Sequence, residues 1–274
     1  MLGPEVSNAV IEAVKSYLIA AGRLMPSSTR KSLFHFAYNC APDEFERFSF
    51  AFANAPNPNY LLKAISSRGF SPKMVVDVGA YKGDWSAMVK SIWPHCDLVM
   101  IEPNPEQTTS LQSVAAQLGA TLYTHLMGAI DGEEVEFQIM ASGSSIFPER
   151  SDVPRKTVIR QLRTLDSILR SHKPVDLLKI DAQGYELQIL AGADHILPNV
   201  EAVILEVSLI EVNQGCPLFH EVISYMYERG FVAYDILELH RRPLDGALFQ
   251  ADIFFSRPES ALRRDKRFWD TANS

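Results

Sequence analysis

The chain has 274 residues, 47% hydrophobic and 22% charged, which suits a globular protein with one large domain and an elaboration. Its formal net charge of −7 argues against a nucleic-acid polyanion as the main partner, because phosphate binding rests on lysine and arginine. Three widely spaced cysteines (Cys40, Cys96, Cys216) argue against a disulfide framework or structural zinc, and no apolar run nears the roughly 20 residues of a bilayer span, so a cytoplasmic protein is expected.

Residues 1–70 are expected to form an N-terminal helical extension. Val6, Val10, Ile11, Val14 and Leu18 recur at helical spacing and predict an amphipathic helix ending near Gly22. Glu5, Glu12 and Lys15 break up any signal-peptide core, and few positive charges face a membrane. The expected role is packing against the body or against a second copy in a homodimer. A second helix is predicted from Thr29, followed by a crowd of aromatics (Phe34, Phe36, Phe45, Phe48, Phe50, Phe52) that reads as core or lid. Asn54–Asn59 is a loop by turn chemistry, and a helix is predicted over Tyr60–Ser67.

From Ser71 strands alternate with helices, the signature of a mostly parallel sheet in a domain running to residue 256, with 257–274 as a tail. The predicted strands are Met74–Val78, Leu98–Ile101, Thr121–Leu126, Val175–Ile180, Ala202–Leu205, Phe231–Ile236 and Asp252–Phe255. Helices are predicted over Asp84–Trp93, Pro105–Leu118, Thr164–Arg170, Gly184–Leu190 and Leu218–Arg229. Glu133–Met140 alternates polar and apolar residues and predicts an added β-ribbon.

The loop after the first strand reads G-x-x-x-G (Gly79, Gly83), with Tyr81 where a dinucleotide fingerprint has its second glycine. A tyrosine there obstructs the close approach of a pyrophosphate, so a nicotinamide oxidoreductase is the weaker reading. Glu102 ends the next strand, 25 residues after Asp77, where a carboxylate can accept both hydroxyls of a ribose. Asp77 would serve an ammonium or amide. Together these favour an adenosyl ligand with an amino-acid tail, which describes S-adenosylmethionine.

The residues Val76-Asp77-Val78-Gly79-Ala80, Glu102-Pro103-Asn104, Ser142-Gly143-Ser144-Ser145, Thr164-Leu165-Asp166 and Leu178–Glu186 resemble the FkbM-type methyltransferases, over residues 71–256. That resemblance implies a Rossmann-like methyltransferase fold: an α/β domain whose seven-stranded, mostly parallel sheet carries helices on both faces. It also implies S-adenosylmethionine as cofactor. Gln183 departs from the pattern, since many members carry an acid there.

Asp77 and Gly79 are then expected at the methionine end, covered by Tyr81 and Lys82, with Glu102 clamping the ribose. Asn104 would contact the same ribose or cap the following helix. Asp131 would meet adenine or belong to an Asp-Gly turn, and Ser144 would wall the cleft. Asp181 and Glu206, at neighbouring strand ends, are the catalytic candidates. They would hold a divalent cation such as Mg2+ between them, or one would act as general base. His125, His220, His240 and Lys179 are further candidates, and Asp181 has a structural alternative as helix cap. The expected reaction is O-methylation of a small molecule or glycan; a non-catalytic sensor or scaffold on the same fold is the other class of reading.

Overall fold

A computed structural model describes residues 24–41, 56–140 and 143–268. The chain divides into two compact units, Met1–Ala55 and Pro56–Ser274. In the first, helix α1 spans Ser27–Cys40. The expected helix ending at Gly22 and the aromatics Phe45 to Phe52 lie outside the described residues.

In the second unit, Pro58 opens helix α2 (Pro58–Ser67), two residues earlier than turn chemistry suggests. Asn57 explains the difference: its side chain accepts from the Tyr60 amide as an N-cap, and proline suits the first helical position. Leu62 and Ile65 of α2 are fully buried in a core of this unit. Then follow β1 (Met74–Val78), α3 (Asp84–Ile92), β2 (Asp97–Ile101), α4 (Thr108–Leu118) and β3 (Thr121–Tyr123). The third predicted strand ends early, and Leu126–Met127 forms a separate β4. Strands β5 (Glu134–Ile139) and β6 (Lys156–Arg163) follow, then α5 (Leu165–Leu169) and β7 (Leu177–Ile180). The chain closes with α6 (Glu186–Ala191), β8 (Ala202–Ser208), α7 (Phe219–Glu228), β9 (Val232–Arg241) and β10 (Leu248–Ser256).

Seven strands form one sheet in the order β3-β2-β1-β7-β8-β10-β9. All pairs are parallel except those made by β10, which runs antiparallel to both β8 and β9. Every residue of β1, β7 and β8 is buried, as expected of central strands covered on both faces. Alternation divides those residues between two cores. Val75, Met100, Leu177 and Ile204 pack with α2, α3 and α4 on one face. Val76, Val78, Ile180 and Leu205 pack with α5, α6 and α7 on the other. This is a Rossmann-like α/β fold, a mostly parallel seven-stranded sheet with helices on both faces.

The predicted ribbon is real and larger than expected. β5 pairs antiparallel with β6, which pairs parallel with β4, around Leu126, Phe137, Ile139 and Leu162. In the main sheet the strand order turns back between β1 and β7, and a crevice opens there at the carboxyl ends of the strands.

Candidate active site

The crevice holds a cavity of about 160 Å³ whose lining includes Gly79, Tyr81, Glu102, Asn104, Ser144 and Asp181. Its floor is the β1–α3 loop. Gly79 has φ +80°, and a Cβ there would sit 1.9 Å from the carbonyl oxygen of Asp181. The β1 and β7 loops therefore touch backbone to backbone, which only glycine permits. Tyr81 (φ +47°) and Gln183 (φ +54°) are the two non-glycine residues with positive φ among the described ones, and both line this cavity. Such conformations persist only where neighbours enforce them.

Glu102 is the enforcer at Tyr81. One carboxylate oxygen accepts from the Tyr81 amide at 2.8 Å, the other from the Asn104 amide at 2.8 Å. Each oxygen keeps a second lone pair, and the residue lines the cavity. Burial pushes this carboxyl up from its ordinary pKa, against the pull of the two amides. Asn104 turns its side-chain oxygen to the Glu106 amide and its nitrogen to Met140 O and Ser144 Oγ. It therefore stabilises a turn before α4 and ties the β2 loop to the Ser144 loop; α4 itself begins only at Thr108.

Two residues expected at the cofactor lie outside the lining of this cavity. Asp77 does not line the cavity: it is fully buried, accepts from Ser86 Oγ of α3 at 2.6 Å and pairs with Lys179 at 3.4 Å. The period of β1 places it with Val75 on the α3 face, so it supports the loop from below. Asp131 also lies outside the cavity. Its carboxylate accepts from Arg163, the Thr164 amide and Ser167 Oγ, and holds the start of α5.

The loop after β7 is pinned by Glu186, whose carboxylate accepts from the Ala182 and Gly184 amides at 2.9 and 3.0 Å. Glu186, not Asp181, thus serves the turn into α6. Burial pushes Glu186 up to about 7 despite those two amides. The folded chain then holds a proton that the unfolded chain releases near its ordinary carboxyl pKa of 4.5, so stability falls as pH rises between about 4.5 and 7. The thermal midpoint is expected to drop from pH 5 to pH 7.5, and Glu186→Gln should flatten that slope; equal slopes in melts of the two proteins would count against this assignment.

Asp181 lines the cavity with its side chain a third exposed, and accepts from Lys179 Nζ at 3.2 Å. Burial works against the Lys179 charge, but Asp181, Asp77 and Asp252 together hold the ammonium above the usual lysine range. Glu206 lines a second, larger cavity of about 620 Å³, bounded also by Arg150, Asn213, His240 and Gln250. Gln183 lines both. Its side-chain amide donates to Asp181 at 3.3 Å and to Glu206 at 2.9 Å. An amide donor thus occupies the gap where sequence order alone suggested a cation shared by Asp181 and Glu206. Its carbonyl accepts from Ser145 Oγ and Asn213 Nδ2, which fixes the left-handed backbone.

The carboxylate of Glu206 meets other partners from the antiparallel edge. Glu206, His240 and Asp252 each bring one donor atom within 4.8 Å of the others. Burial and the charges of Asp181 and Asp252 push Glu206 well above the carboxylate range, whereas Asp252, 3.7 Å from His240 Nε2, raises His240. His125 and His220 line neither cavity. Asp252 and Gln250 escaped the sequence reading: within an apolar strand they look like edge residues, and nothing local marks their cross-strand partners.

Residues 77–233 match the family model described as Methyltransferase FkbM domain. No curated protein matches the chain. Among solved structures, a methyltransferase FkbM from Methylobacillus flagellatus KT is 15% identical, with 90% of this chain and 60% of that one covered and a TM-score of 0.46. A magnesium protoporphyrin IX methyltransferase from Synechocystis PCC 6803, with bound S-adenosylmethionine, is 10% identical over 73% of this chain and 77% of that one, TM-score 0.44. Aeropyrum pernix fibrillarin, in complex with S-adenosyl-L-methionine, is 14% identical over 72% and 74%, TM-score 0.42. The chain thus spans about 60% of the length of the first of these.

Proposed function

The chain belongs to the FkbM methyltransferase family, and from that premise we propose that it transfers a methyl group from S-adenosylmethionine to a hydroxyl of a small molecule or glycan. The observation that carries the cofactor reading is Glu102: a buried carboxylate, oriented by two backbone amides, with lone pairs left over at the end of β2. Such a group accepts from the two hydroxyls of a ribose. The floor of the cavity fits as well. Tyr81 fills the place a pyrophosphate would need, and Gly79 is committed to contact with Asp181 rather than to a phosphate. Asp181 offers a carboxylate to a cationic ligand while it also accepts from Lys179 Nζ at 3.2 Å.

When bound, S-adenosylmethionine supplies an electrophilic methyl group on a positively charged sulfur. The residues of this chain supply position and a dry cleft, which account for much of the acceleration of an in-line transfer. The second cavity, which shares Gln183 as a lining residue with the first, is the acceptor side in this reading. Its mixture of Arg150, Glu206, Asn213 and Phe249 suits a polyhydroxylated molecule better than an apolar one. An alcohol must also lose a proton, and the carboxylates gathered at the junction, Asp181 and Glu206, favour that chemistry.

The test is a thermal-shift series on the full chain. S-adenosylhomocysteine at a hundredfold excess over its Kd is expected to stabilise the protein by about 2.7 kcal/mol, and NADH to leave it unchanged. Stabilisation by NADH alone would overturn the reading. The acceptor atom is separable by product chemistry. A labelled methyl on an alcohol is an ether that survives mild alkali, whereas a methyl ester releases methanol.

A further inference from the structure

Antiparallel pairing sets Asp252 of β10 directly opposite Glu206 of β8, and Gln250 opposite His240 of β9. Direct and diagonal cross-strand neighbours share a face, so Glu206, Asp252 and His240 point to one place. Two acids directly opposite one another destabilise a strand pair, and here Glu206 is buried and the Asp252 side chain is 13% exposed. The Asp252 carboxylate accepts no hydrogen bond among the described residues, and its nearest cationic atom is His240 Nε2 at 3.7 Å. One Glu206 oxygen is held by the Gln183 and Gln250 amides at 2.9 and 2.8 Å, which orients the group and leaves the other oxygen without a hydrogen bond. Lys179, the nearby ammonium, is already shared between Asp77 and Asp181.

We propose that Glu206, His240 and Asp252 form a divalent-cation site beside the second cavity, which Glu206 and His240 line. An imidazole with two carboxylates suits Mn2+, Fe2+ or Zn2+ better than Mg2+ or Ca2+, which favour all-oxygen shells. The cation neutralises the opposed acids of β8 and β10, and Gln183 and Gln250 hold Glu206 as outer partners. Three protein ligands leave positions open toward the cavity, where an acceptor hydroxyl would bind and acidify. Its proton leaves to solvent; the oxygen then bonds the methyl carbon as the carbon–sulfur bond breaks, its electron pair remaining on sulfur. The site itself stands apart from the methyl-donor reading, and only this catalytic role rests on it.

The probe is Mn2+ alone. Full-length protein, stripped with EDTA and dialysed, is titrated while the electron paramagnetic resonance signal of free Mn2+ is followed. Binding of one Mn2+ per chain is expected, weakened by roughly 100-fold or more in His240→Gln and in Asp252→Asn. Metal-free Asp252→Asn, whose side chain keeps the shape of the parent's, should keep the parent's circular dichroism spectrum, which guards against misfolding as an explanation. Failure to bind Mn2+, or binding that survives both substitutions, would overturn the site. S-adenosylhomocysteine stabilisation should be unchanged in Asp252→Asn, so loss of the donor reading and loss of the cation site appear in separate measurements.

Discussion

Glu102→Ala is expected to raise the Kd for S-adenosylhomocysteine by roughly 100-fold or more and to erase the thermal shift that ligand produces. Two hydrogen bonds from hydroxyls to one buried carboxylate contribute about 1.5–3 kcal/mol each, and each 1.4 kcal/mol is a factor of ten. The loss should exceed that of the bonds alone. Without Glu102 the Tyr81 and Asn104 amides lose their acceptor, and Tyr81 loses the contact that holds its left-handed backbone. Glu102→Gln keeps one acceptor and should fall between the two. Isothermal titration with S-adenosylhomocysteine decides the matter. Affinity within a factor of three of the parent would refute the ribose role. Asp131→Asn is the contrast: its contacts all lie at the start of α5, so it should cost stability and leave affinity intact.

Gly79→Ala should be the most damaging single substitution in the cleft. The added methyl meets the Asp181 carbonyl at 1.9 Å, a backbone atom that cannot swing aside. At φ +80° the new side chain is strained even in open space. To accommodate it the β1 and β7 loops must part, which disturbs Tyr81 and Asp181 together. A loss of about 3 kcal/mol or more in urea unfolding is expected, with cofactor binding abolished. Gly132→Ala supplies the comparison, because a Cβ there meets no atom within 4 Å and only the backbone strain of φ +81° remains. Equal losses at the two glycines would mean that the contact with Asp181 carries no energy.

Much of the architecture was legible along the chain. All seven predicted strands of the main sheet exist, and the fully buried parallel ones among them, β1, β7 and β8, were marked by apolar-rich runs such as Met74–Val78 and Ala202–Leu205. Helix starts were less visible. Asn57 and Pro58 looked like loop because N-caps and turns use the same residues. Gly79 and Glu102 directly follow β1 and β2, and together with Tyr81 they line the cavity.

Side-chain direction was harder to read. Asp77 stands one residue from a cavity-lining valine and two from Gly79, yet the strand period sends it into the α3 face. Asp181 directly follows β7, Glu206 lies inside β8, which runs on to Ser208 past its expected end, and the amide of Gln183 reaches between them. That residue was visible only as a departure from a family pattern. Its place in the lining of both cavities depends on a left-handed backbone that Ser145 and Asn213 hold from other loops.

The sequence by itself determined the layered α/β domain, the strand that delivers Gly79, and the acid that follows the second strand. These rest on local runs and their periods, which the chain carries without help. Only the tertiary structure decided which acids face the cleft, and it set Glu206, His240 and Asp252 side by side. Those depend on strand register between segments up to 46 residues apart, from Glu206 to Asp252. Register is a property of paired strands, and no single stretch contains it.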